Sequence, residues 1–94
     1  MRLNITDNKN QVVTFLFDYL TEKVHLKEVK IILNGKERFG LISEVTIDLE
    51  NFNWIQLSLG DDIFEIPFNQ DSKIRFDRDL FFFETESHTT LIYI

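Results

Sequence analysis

The chain is expected to fold as a small, mainly antiparallel β domain, either a barrel or a compact sandwich. Three observations predict this. Apolar residues recur mostly at every second position through residues 28–76. Short polar clusters at 7–10, 34–35, 50–53, 60–62, 69–72 and 86–88 are spaced like the turns between short strands. The 94 residues include ten Phe but no Ala, the strongest helix former. At this length the chain makes one domain, residues 1–94, and the aromatics supply the buried area a small domain needs.

The first segment admits two readings. Val12, Phe15, Leu16, Tyr19 and Leu20 fall at helical spacing, and Asp7 or Asn8 could cap a short helix within residues 10–24. The residue types of Val12-Val13-Thr14-Phe15-Leu16-Phe17 favour strand instead. With Arg2 to Thr6 they would make an N-terminal hairpin, and we expect strand at 11–17 followed by a turn or one helical turn at 18–24.

The later elements follow the period of two. Val29, Ile31 and Leu33 alternate with Glu28, Lys30 and Ile32 up to Asn34-Gly35, a dipeptide suited to a type I′ turn because both residues tolerate positive φ. The return segment is expected to put Phe39, Leu41, Val45, Ile47 and Leu49 on one face, with Gly40, Glu44, Thr46 and Asp48 on the other. Ile55, Leu57 and Leu59 continue the alternation, as do Phe64, Ile66 and Phe68, then Ile74 and Phe76. Pro67 has no N–H for a ladder, which points to an edge strand at 63–68. Segments 80–84 and 90–94 are apolar on both faces and need a central place in the sheet or a cover.

The stretch Val29-Lys30-Ile31-Ile32-Leu33-Asn34-Gly35-Lys36-Glu37-Arg38-Phe39-Gly40-Leu41-Ile42 resembles the first half of the Sm-like RNA-binding fold. Gly35 and Gly40 match that family's turn glycine and the glycine that follows it in a bent second strand. The resemblance implies an SH3/Sm-like barrel. It does not extend to the family's uracil-holding Asp and Asn, which would fall near Thr46 and Glu50, or to its late Arg-Gly step, which would be Arg75-Phe76.

Charge divides the chain. Residues 1–47 hold seven Lys/Arg against six acids, whereas residues 48–94 hold ten acids against Lys73, Arg75 and Arg78, for a net charge of −6 overall. Such a surface repels phosphate and anionic membranes and steers towards basic partners. Without Cys there is no disulfide, thiol nucleophile or Cys-based metal site. Three glycines cannot build a phosphate loop, and Ser43, Ser58, Ser72 and Ser87 lack the framing of a nucleophile elbow. No signal peptide or membrane span is recognisable, so a cytoplasmic protein is expected.

Three clusters could carry chemistry. Glu84, Glu86 and His88 would share one face of an extended segment and could bind a divalent cation, although a solvated edge explains them better. Lys23, Lys27, Lys30, Lys36 and Arg38, with Phe39 or Trp54, could contact single-stranded nucleic acid. Interleaved Glu22, Glu28 and Glu37 favour an ordinary solvated face, and no direct nucleic-acid binding is expected. Asp61, Asp62, Asp71, Asp77 and Asp79 fall in turns or at strand ends, where they could gather at one pole and meet a partner. The expected function is therefore a non-catalytic intracellular protein-binding module without cofactor or metal. Its acidic face would engage a basic partner, as a regulator or inhibitor of a nucleic-acid-handling protein. The alternative is an oligomer-forming structural β-barrel, an Sm-like ring or a component of a phage or mobile-element assembly. There, exposed Phe81, Phe83, Ile92 and Ile94 would be buried between subunits.

Overall fold

The structure, a computed structural model, describes residues 2–4 and 8–94. After the three-residue strand β1 (Arg2–Asn4) comes one helix, α1 (Lys9–Val24). Seven longer strands follow: β2 (Glu28–Leu33), β3 (Lys36–Ile47), β4 (Trp54–Leu59), β5 (Asp62–Pro67), β6 (Lys73–Phe76), β7 (Leu80–Glu84) and β8 (Thr89–Tyr93). Every ladder is antiparallel, and the order across the sheet is β1-β6-β7-β8-β2-β3-β4-β5. Strands β1 and β5 stand at its two ends, and no ladder joins them among the described residues. Among the described residues the domain is mainly β with one helix, and the sheet is not closed.

The strand expected at 11–17 is instead part of a sixteen-residue helix. Helical spacing overrides the β-branched composition because the sheet offers an apolar face to cover. Val13, Leu16, Leu20 and Val24 are fully buried on one stripe. Burying each contributes roughly 1.5–3 kcal/mol, more than the fraction of a kcal/mol by which β-branched residues disfavour a helix. The hairpin expected between residues 2–6 and 11–17 is absent from the described residues, since Arg2–Asn4 pairs with β6. Asn8 holds the N-cap position without a side-chain cap bond, and Asp7, the other proposed cap, lies outside the described residues.

Asn34 and Gly35 both adopt positive φ, 49° and 85°, as the I′ turn requires. Asn34 also ties this turn to β8: its N–H donates to the Thr89 carbonyl (2.9 Å), and its side-chain oxygen accepts from the Thr89 N–H (2.8 Å). Strand β3 pairs with β2 through its first half and with β4 through its second, with a register shift between Ile42 and Glu44. Gly40 lies just before that bend. A Cβ there would come within 3.0 Å of Leu59 Cδ1, so the glycine lets β3 run close over the end of β4.

Strands β7 and β8 are interior, which accounts for their apolar residues on both faces. Strand β5 pairs only with β4, as Pro67 predicts. The core lies between α1 and one face of the sheet. The Phe68 ring, just beyond β5, meets Phe83 of β7 edge-on at 5.1 Å, joining distant parts of the sheet through their side chains. Helix α1 reaches β6 through Phe15 and Tyr19, whose rings lie 5.8 and 4.5 Å from that of Phe76. The Tyr19 hydroxyl donates to the Asp77 carbonyl at 2.7 Å.

Candidate interaction surface

Of the two roles open to Phe81, Phe83, Ile92 and Ile94, oligomer contact or packing, the structure shows packing within the chain. Phe81, Phe83 and Ile92 are completely buried in the core of their own chain, and Ile94 packs against that core half-buried. Strand alternation points 81, 83 and 92 into the core, where Phe83 meets Phe68, so they are not available to be covered by another subunit. Their neighbours Phe82 and Leu91 occupy the opposite face.

The five acids do not form one cluster. The ladders place Asp61, in the β4–β5 turn, and Asp62, the first residue of β5, near the level of Leu41 and Ile42 on β3 and hence of Glu28 at the start of β2. Asp77 and Asp79, in the β6–β7 turn, lie at the same level, with β8, β2 and β3 between the two turns. Asp71 precedes β6 and so sits at the other end of that strand. All five residues are exposed. The negative character of the β6–β7 turn is felt by Tyr19. Burial pushes its hydroxyl pKa up, and the charges of Asp77 and Asp79 push it the same way.

Asp48, also in the acidic half, has a local structural role instead. Its carboxylate accepts hydrogen bonds from the backbone N–H groups of Glu50, Asn51 and Asn53, closing the β3–β4 loop. Desolvation would raise its pKa, but these three bonds and the nearby Lys9 charge outweigh it and hold the carboxyl below its usual range. Lys9 Nζ also donates to the Asn53 side chain, fastening α1 to this loop.

The remaining clusters separate in space. Thr85 donates its N–H to the His88 carbonyl at 2.7 Å, so residues 85–88 form a tight turn and Glu84, Glu86 and His88 do not share an extended face. Among the described residues, no group of three His, Cys, Asp or Glu could hold a metal ion. The basic residues are distributed over α1, β2, β3 and the link before β2 that holds Lys27. Lys23 lies in the last turn of α1, where it complements the helix dipole, and Lys30 sits 4.5 Å over the Tyr93 ring. No helix among the described residues is long and apolar enough to cross a membrane.

What sequence reasoning missed is the outer face of β3. Phe39 is 71% exposed and Leu41 47% exposed, although both were expected on the same face as Val45 and Ile47, which are half-buried against the core. The register shift at Ser43 reverses the phase of the alternation. Its signal was present in the order Leu41-Ile42-Ser43-Glu44, where two apolar residues and then two polar ones interrupt the period of two. Grooves lie on both sides of Phe39. One, of about 360 Å³, runs between Phe39, Lys30 and Tyr93, and the other, of about 340 Å³, runs towards Gly60 and Asp62. The acidic β4–β5 turn thus borders an exposed aromatic ring.

Tyr19 provides a test of this electrostatic description. Its raised pKa means that its contribution is complete below the unfolded value of about 10 and is lost as pH rises through the higher folded value. Tyr19→Phe should cost about 0.5 kcal/mol at neutral pH, the low end for a hydrogen bond near solvent. Denaturant titrations should show the gap between the variant and the parent narrowing above pH 10. A gap that widens there would contradict the assigned direction.

The chain matches no protein-family model, no curated protein and no solved structure.

Proposed function

We propose that this chain is a non-catalytic protein-binding module whose acidic turns meet a basic protein surface, as a regulator or inhibitor of a nucleic-acid-handling protein would. The observation that supports this reading is the groove that Asp62 shares with exposed Phe39, with Asp61 next to it in the chain and Asp77 and Asp79 level with them along the strands. An exposed aromatic supplies the apolar centre that recognition needs, and carboxylates at its border accelerate approach of a cationic target. Acids dispersed for solubility alone would have no reason to border such a ring.

Charge reversal tests the proposal. A captured partner is bound by the parent chain, by Asp61→Lys/Asp62→Lys and by Asp77→Lys/Asp79→Lys, and association rates are followed against ionic strength. The expected result is a loss of about tenfold or more in association rate at low salt for the first pair, with a shallower salt dependence. Unchanged rates for both pairs, with intact thermal melting, would make the acidic turns ordinary solvated surface.

A further inference from the structure

We infer that the sheet face turned away from α1 is the contact between two copies of this chain, related by a twofold axis parallel to the strands. The inference rests on a row that crosses five strands. Ladder partners place Arg75 of β6, Phe82 of β7, Leu91 of β8, Ile32 of β2 and Glu37 of β3 side by side on that face. The row is apolar in the middle, cationic at one end and anionic at the other. Beside it, Leu80, Tyr93, Lys30 and Phe39 form a second row across four of the strands.

Charge selects both the occupant and its orientation. The outer face of these five strands carries Lys30, Lys73 and Arg75 against Glu28, Glu37 and Glu84, so it is neutral on a chain of net charge −6. A basic partner or nucleic acid gains no net attraction there, whereas a second copy brings complementary signs at matched positions. With the axis running along β8, the centre of the five, β6 of one copy lies over β3 of the other. Arg75 then faces the second copy's Glu37 at each end, and Leu91 faces its own counterpart between them. An axis perpendicular to the strands in the same plane would set Arg75 on Arg75 and Glu37 on Glu37. Twisted sheets pack face to face in this aligned manner, and a twofold contact makes each favourable pair twice. Arg75 lies 5.1 Å from the Phe82 ring, so the cation is already held on the face that the second copy would meet.

This inference shares Phe39 with the acidic-turn reading, but its test does not, because Arg75 and Glu37 lie in the row while Asp61, Asp62, Asp77 and Asp79 lie beyond it. Sedimentation equilibrium of the full chain from low micromolar to near-millimolar concentration should show a monomer–dimer equilibrium. Arg75→Glu alone and Glu37→Arg alone should each weaken it by about a hundredfold, since each creates two like-charge contacts. The double exchange Arg75→Glu/Glu37→Arg should restore association to near the parent value. Both side chains are exposed, and circular dichroism should show every variant folded. A chain that stays monomeric throughout, a dimer indifferent to the single reversals, or a double exchange that does not restore association would each overturn the inference. A heterologous partner captured by monomeric parent but lost on Arg75→Glu would reassign the face to that partner.

Discussion

Phe83→Ala should lower the unfolding free energy by about 3–5 kcal/mol, as truncation of a fully buried aromatic does. The ring lies on an interior strand, where no chain end is available to collapse into the space it leaves. It also meets Phe68, so its loss uncouples the segment after β5 from β7. A domain of this size has about twice that stability in total, so the variant should unfold at markedly lower denaturant concentration. Phe82→Ala is the control. That ring is half-buried on the outer face, has Arg75 over it, and has no core neighbour facing it across the sheet. Its loss should cost about 1 kcal/mol or less. Equal losses at 82 and 83 would mean that the inward and outward faces of β7 are wrongly assigned.

That contrast bears on what the sequence could reveal. In β7 and β8 both faces are apolar, so periodicity shows an interior strand without saying which face meets the core. The choice is made by the core that α1 and the segment after β5 complete, and the identity of α1 itself was obscured by its β-branched residues. The I′ turn at Asn34-Gly35 and the edge position of β5 were legible because each depends on backbone chemistry that only particular residues allow. The acidic turns were legible as turns, but their relative positions depend on a strand order in which β5 and β6, consecutive in the chain, lie far apart in the sheet. The exposed Phe39 escaped because a one-residue shift at Ser43 moves every side chain of that half-strand to the other face.

Leu20→Ala asks the same question of the helix and has an unambiguous sign. Ala is a better helix former than Leu, by a few tenths of a kcal/mol, so a helix held by local preference would be unchanged or slightly strengthened. Packing predicts the reverse. Leu20 is completely buried in the stripe with Val13, Leu16 and Val24, and its truncation should cost about 2–5 kcal/mol in a denaturant titration. Thr14→Ala, on the exposed side of the same helix, removes only a weak helix former and should stabilise by roughly 0.5 kcal/mol. Opposite signs at 20 and 14 mean that α1 exists because the sheet needs its apolar face covered. Sixteen residues without a single Ala are marginal as a helix in water alone, so the sheet contributes most of its stability. A neutral or stabilising result at Leu20 would remove α1 from the core that Phe83 faces.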